Sequence, residues 1–278
     1  MSPRTEPDPF PSPLHRLEVA ARSHVGRHRD NNEDSLLVGH LGRDERHLFD
    51  LPATSYLARS GEWFAAVCDG MGGEAGGEVA SRLATVVLDA ELKRRPRSAS
   101  LRMASEALTG ALVTAARTIA EAAREPSLKR MGTTATAAVV VQGQLVFAQV
   151  GDSRAYLFRG GKLTQLTEDQ TLVAHLRKNG HPSDGDLAGL SNVILQALGT
   201  STHLDVVVGA VELAPRDLVL LCSDGLTGPV TDEEIAHILS RPAPLDVRVD
   251  ALVAAANTAG GPDNISCVLL DYLGLSLA

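Results

Sequence analysis

With 278 residues, 44% of them hydrophobic, the chain is long enough to bury a sizeable core and to fold as one large domain. Its formal net charge is −8 with no Lys/Arg cluster, which sets polynucleotide partners aside, and no run of about 18 apolar residues is present to span a membrane. Aromatics make up only 3%, so valine, leucine and alanine must fill the core; 22 of the 26 cationic residues are arginine, a bias typical of a GC-rich bacterial genome.

The opening MSPRTEPDPFPSPLHR is proline-rich and lacks the apolar stretch of a signal peptide. Residues 1–13 read as a disordered tail, and 14–278 as a single domain. LEVAARSHVG and DSLLVGHL read as strands, and EWFAAVCD as a third, bounded by Gly61 and Gly70. Two long helical patterns follow. Val79, Leu83, Val86, Val87 and Ala90 repeat at helical spacing, as do Leu101, Leu108, Leu112, Ala116 and Ile119. Strands then return: GTTATAAVVV, QLVFAQV, AYLFRGGKLTQLT with Gly160-Gly161 as its turn, VILQALG, LDVVVGAVEL and DLVLLCS. DEEIAHILS and LDVRVDALVAAANTA are helical, and NISCVLLDYL is a last strand. Runs of strands with helices grouped in pairs predict an α+β fold of two sheets with helices outside, not an alternating βαβ chain.

Acidic residues recur at the ends of the apolar runs: Asp69 after EWFAAVC, Asp152 after LVFAQVG, Asp224 after DLVLLCS, and Asp263 just before ISCVLL. A carboxylate at the tip of a buried strand is costly to desolvate unless something pairs with it, and no excess of cations sits in these segments. Four such groups brought together repel one another, and divalent cations are the natural remedy. The pattern predicts an all-oxygen metal site. Cys68, Cys222 and Cys267 lie in the same apolar runs. A thiolate-metal reading is open to them, but an odd count without short pairings favours small buried hydrophobes, reduced in the cytosol.

Other chemistries fit less well. Gly70-Met71-Gly72-Gly73-Glu74-Ala75, with Asp89 and Glu91 about 20 residues on, matches a dinucleotide fingerprint on paper. Asp69 would then face a pyrophosphate, and the helix leads to a second helix instead of a parallel strand. Gly151-Asp152-Ser153-Arg154-Ala155 is only superficially a nucleophile elbow, with no helix directly after it. The nine histidines have no metal-ligand spacing.

Six motifs occur in order: Arg29-Asp30-Asn31-Asn32-Glu33-Asp34, Asp69-Gly70-Met71-Gly72-Gly73, Met131-Gly132-Thr133-Thr134, Gly151-Asp152-Ser153-Arg154, Ser223-Asp224-Gly225 and Gly261-Pro262-Asp263-Asn264. Over roughly residues 17 to 273 the chain resembles the bacterial branch of the metal-dependent Ser/Thr protein phosphatases, the PPM or type-2C family. The resemblance implies a four-layer α-β-β-α sandwich, its two central, mostly antiparallel sheets flanked by helix pairs, with a metal cluster at one end. By position, Asp69 is expected to bridge two tightly bound Mn2+ or Mg2+ ions, with the Gly70 carbonyl on one and Asp224 and Asp263 on the other. Glu33 and Asp34 would hold water on the ions, and Asp152 with Asp224 would hold a weaker third ion.

Two cations would screen a phosphomonoester and activate a water that attacks phosphorus directly. Arg29 would grip phosphate oxygens as a planar fork. The plainer reading of Arg29 is a solvated strand end beside Arg27; its position four residues before Glu33 favours the functional one. The implied substrates are phosphorylated proteins, in a cytoplasmic, monomeric enzyme opposing a Ser/Thr kinase. A catalytically idle phosphoprotein-binding module of the same fold is the alternative, and none of Asp69, Asp224 or Asp263 is missing to support it. Three departures stand out. Met71 occupies the place where many eukaryotic members carry a histidine proposed as general acid. The flap expected at about 168–199 has a short middle, HPSDGDLAGLSN, without the usual His-Pro near its end. The stretch His47–Glu62 reads as an inserted hairpin or exposed loop.

Overall fold

The computed structural model describes residues 14–40, 46–49, 54–59, 63–72, 76–94, 100–180, 190, 193–201 and 203–276. The expected N-terminal tail lies outside them, as do Gly73–Ala75 and most of HPSDGDLAGLSN. Strands β1 (Leu14–His24), β2 (Asp34–His40), β3 (Arg46–Phe49), β4 (Thr54–Arg59) and β5 (Trp63–Met71) come first. Helices α1 (Gly76–Lys93) and α2 (Leu101–Ala122) follow, then β6 (Gly132–Thr133), β7 (Ala135–Val141), β8 (Gln144–Val150), β9 (Arg154–Arg159) and β10 (Lys162–Gln165). The chain continues through α3 (Leu172–Lys178), β11 (Val207–Glu212), β12 (Asp217–Cys222), α4 (Asp224–Thr227), α5 (Asp232–Ser240), α6 (Leu245–Thr258) and β13 (Ile265–Ser276).

One sheet runs β10-β9-β12-β13-β1-β4; the other runs β11-β8-β7-β5-β2-β3, with β6 added to the end of β5. Every paired neighbour is antiparallel. The long apolar runs have a simple cause: their strands are covered on both faces, and successive side chains point to opposite sides. In β5, Phe64, Ala66 and Cys68 pack toward α1 and α2, while Trp63, Ala65 and Val67 pack between the sheets. In β12, Leu218, Leu220 and Cys222 pack toward α5 and α6, while Val219 and Leu221 face inward. The three cysteines are buried free thiols on the helix-facing sides, as small hydrophobes. Burial raises all three thiols, Cys222 to about 12.

The four-layer α-β-β-α sandwich expected from the sequence is the observed architecture. The β9–β10 hairpin turns through Gly160 and Gly161 at φ of 57° and 84°, the left-handed pair that matches strand twist. Because α1 leads into α2 and β5 has only antiparallel partners, the dinucleotide fingerprint has no βαβ unit to sit in.

Local expectations fare differently in three places. VILQALG is not a ladder strand: Ile194 pairs singly with Thr171 and Leu198 with Thr133, because the segment crosses between these two points before turning at Gly199. In the stretch 47–62 the described residues form no hairpin closed on itself. Its strands separate, β3 onto β2 and β4 onto β1, so that the segment satisfies one open edge of each sheet. Helices α3 and α4, of 7 and 4 residues, were too short to show a periodicity.

Candidate active site

The period-two alternation of the inner strand faces builds the site. Leu36 and Val38 of β2 face between the sheets, which puts Asp34 on the same side; Trp63, Ala65 and Val67 do the same for Asp69. Ser23, Ser223 and Ser266 continue the inner faces of β1, β12 and β13 in the same way, as Thr136 and Ser153 do for β7 and β9. The apolar layer between the sheets therefore gives way, at one end, to a polar one. There a cleft of about 480 Å3 opens, lined by Arg29, Glu33, Asp69, Gly70, Asp224 and Asp263, with Met71 and Ile194 among the apolar neighbours.

Asp34 and Asp69 are direct cross-strand partners on β2 and β5. Asp34 Oδ2 accepts from Ser223 Oγ at 2.8 Å, a bond from one sheet to the other. Asp69 is braced through its backbone. Its N–H donates to Thr134 Oγ1 at 3.1 Å, and its carbonyl accepts from Thr133 Oγ1 and Thr134 N at 2.8 Å each. Thr134 Oγ1 is also 2.7 Å from Ser153 Oγ, beside Asp152. On the other sheet, Asn264 is the hub. Its Oδ1 accepts from Glu33 N at 2.7 Å, and its Nδ2 donates to the carbonyls of Val25 at 2.8 Å and Asn31 at 2.9 Å. Gly70 donates to the Glu33 carbonyl at 3.2 Å and packs so closely that a Cβ there would strike Gly77 and Glu33.

The electrostatics are those of an acid cluster held against its own repulsion. Burial, then Asp34, Asp224, Asp152 and Asp263, pushes Asp69 well above the usual carboxylate range. Burial raises Asp34 and Asp152 to about 7 each, and raises Asp224 and Glu33 as well. Arg29 Nη2 donates to Asp263 Oδ2 at 2.7 Å; burial opposes its charge, but Asp263, Glu33 and Asp69 together raise its pKa.

The residues fit divalent cations. Asp34 Oδ1, Asp152 Oδ1 and Asp224 Oδ1 are buried without a hydrogen-bond partner among the described residues, an expensive condition that a cation relieves. All available donors are oxygens, the set preferred by Mg2+ and Mn2+. Among the described residues no three acidic, histidine or cysteine side chains are preassembled as a coordination cluster. Direct protein ligands would thus be few and the rest water, as these ions accept.

Of the sequence-predicted residues, Arg29, Glu33, Asp69, Gly70, Asp224 and Asp263 line the one cleft. Asp34 lies buried behind it, and Asp152 is close enough to raise Asp69 but does not line it. The bracing residues Thr133, Thr134, Ser223 and Asn264 stand inside the motifs, yet carried no assigned role. Gly77 and Asp169 lie outside the motifs. Arg154 grips Asp169 with bonds of 2.9 and 2.7 Å and donates to Tyr156 OH at 2.8 Å, fixing the start of the flap to β9.

A family model described as Protein phosphatase 2C matches residues 53–269. The chain belongs to the protein phosphatase 2C family. It is a protein serine/threonine phosphatase of the bacterial type, and its relatives bear this out. This protein phosphatase 2C is 38% identical over 211 residues to the serine/threonine phosphatase stp of Listeria monocytogenes, covering 74% of this chain and 82% of that one. Among solved structures it is similar to the S. agalactiae serine/threonine phosphatase, with a TM-score of 0.81 at 28% identity over 92% of this chain and 99% of that one. It is also similar to the catalytic domain of the phosphatase PstP in complex with two manganese ions, with a TM-score of 0.71 at 34% identity over 94% and 99% of the two chains. No helix among the described residues is long and apolar enough to cross a membrane.

Proposed function

We propose that this protein phosphatase 2C cleaves phosphoserine and phosphothreonine esters in proteins by direct attack of water, with no phospho-enzyme, and so opposes a bacterial Ser/Thr kinase. The observation that carries the reading is the convergence of Asp69, Asp224 and Asp263 with Arg29 in one cleft. Two Mn2+ or Mg2+ ions would supply charge screening and a water acidified toward neutral pH. Asp69, the Gly70 carbonyl, Asp224 and Asp263 would hold them, while Glu33 and Asp34 orient water. Asp152, with Asp224, would hold a third ion more weakly, being removed from the cleft lining. Arg29, half exposed at the rim, swings its planar fork onto the phosphate oxygens and orients the phosphorus over the acids. Met71 lines the cleft but has no proton to give, so no side chain at that position protonates the leaving oxygen.

An idle phosphate-sensing module would have no use for three clustered, mutually repelling acids. The test is turnover of a phosphothreonine peptide by the full chain in Mn2+, its loss with chelator, and its loss in Asp69→Asn with the fold retained by circular dichroism. Near wild-type turnover by Asp69→Asn would sink the assignment.

A further inference from the structure

One short segment beside the cleft has an edge that no other described residue pairs with. In residues 193–195, Val193 O accepts from Leu172 N and Leu195 N donates to Gln170 O, each at 2.8 Å, so this side of the segment is tied to the flap base around Thr171. The N–H and C=O of Ile194 point the other way, as antiparallel pairing requires, and have no partner among the described residues. Ile194 itself lines the cleft with Arg29, Asp69 and Asp224. Its neighbours Val193 and Leu195, on the opposite face by strand alternation, are 40% and 45% exposed, among the few large apolar side chains left in solvent.

We propose that the substrate peptide lies along this edge as an added antiparallel strand, with the phosphorylated residue opposite Ile194. The inference rests on the reading of the cleft as the phosphatase site. The phosphorylated residue would exchange two backbone hydrogen bonds with Ile194, its N–H donating to the Ile194 carbonyl and its carbonyl accepting from the Ile194 N–H. A residue paired with Ile194 projects its side chain to the same face as Ile194, which is the cleft, and this delivers the phosphoryl group to Arg29 and the acids. The residues on either side of it then project to the other face, beside Val193 and Leu195. The occupant is therefore an extended phosphopeptide with apolar residues immediately flanking the phosphorylated one. The acid-lined cleft and a net charge of −8 act against acidic flanks. Backbone pairing gives this mode its affinity, and the alternate side-chain contacts give it selectivity.

The test uses the full chain loaded with Mn2+ and heptapeptides carrying one phosphothreonine. Valine on both flanks should give a kcat/KM about three- to tenfold above glutamine on both flanks, the scale of two cross-strand contacts. N-methylation of the phosphothreonine amide should cost about three- to tenfold, the scale of one hydrogen bond. Val193→Lys with Leu195→Lys should reverse the order and favour glutamate flanks, which a purely structural role for these residues would not produce. Equal rates on all peptides by an enzyme that still hydrolyses p-nitrophenyl phosphate would overturn the edge and leave the phosphatase reading intact. No hydrolysis of p-nitrophenyl phosphate by the wild type would instead remove the reading on which the edge rests. Ile194 amide protection that follows enzyme concentration, not added phosphopeptide, would assign the edge to a second copy and overturn the proposal.

Discussion

Arg29 and Asp263 form an ion pair at 2.7 Å across the mouth of the cleft, with both side chains partly in water. The proposed phosphate grip thus leans on a proposed metal ligand. Removing the guanidinium takes away both the phosphate fork and the counter-charge of Asp263. Arg29→Ala should raise KM for p-nitrophenyl phosphate about tenfold or more, the loss of a charge-assisted contact. It should also tighten Mn2+ modestly, since Asp263 loses a competitor. A KM near wild type in steady-state assays would refute the phosphate role, and weaker Mn2+ binding in a calorimetric titration would refute the competition.

Asp152 differs from Asp69, Asp224 and Asp263 in not lining the cleft. Asp152→Ala should leave two tight Mn2+ equivalents by equilibrium dialysis while lowering kcat. The loss should be larger on a phosphothreonine peptide than on p-nitrophenyl phosphate, whose acidic leaving group needs a proton less. Equal losses on the two substrates would reject a part in leaving-group protonation.

The acid cluster makes metal-free stability depend on pH with a definite sign. Asp34 and Asp152, raised to about 7 in the folded chain, lie above the value of about 3.9 for an unfolded aspartate. Between those values the folded state binds more protons than the unfolded state, so stability falls as pH rises from about 4 to about 7. In chelator, Tm should drop from about pH 5 to about pH 8, and added Mn2+ should recover more at the upper end, where its ligands are deprotonated. A flat or rising Tm across that window in chelator would contradict the repulsion described for the cluster.

Two neighbours of Glu33 should matter although neither is charged. Asn264, 4% exposed, holds Glu33 N and two carbonyls, so Asn264→Ala should cost about 2–4 kcal/mol in urea unfolding. A Cβ on Gly77 would stand 2.7 Å from Glu33 Cδ and Oε2 and 2.9 Å from Gly70 C. Gly77→Ala should cost about 1–3 kcal/mol and weaken Mn2+ binding together with it. Wild-type Mn2+ affinity in Gly77→Ala would show that Glu33 and Gly70 do not serve the ions.

The long elements and the acidic strand tips were legible in the sequence for one reason: both-sided burial writes uninterrupted apolar runs, and each run ends where the core ends. Asp69, Asp224 and Asp263 could be read from that pattern alone as candidates to meet. What could not be read was support at long range. The bond from Ser223 to Asp34 joins residues 189 apart in the chain, and that from Asn264 to Glu33 joins residues 231 apart; no local periodicity records either. The pairing of β3 and β4 is not legible because they answer to open edges on two different sheets, which are neighbours only after folding. Ile194 was read inside a strand; its single pairing with Thr171 depends on where α3 begins.

The polar layer at the end of the sandwich draws its acids from both slabs. Asp34 and Asp69 hang from the sheet of β2 and β5, Asp224 and Asp263 from that of β12 and β13, and Asp152 sits in the link from β8 to β9 that joins the two. The two sheets therefore behave like the jaws of a calliper, and the apolar filling between them sets the gap at the tip. A substitution such as Val140→Ala or Leu270→Ala, deep in that filling and outside the acid cluster, would alter the spacing of the acids before it unfolded the chain. Metal affinity in this enzyme is then a gauge of how well its two sheets are packed.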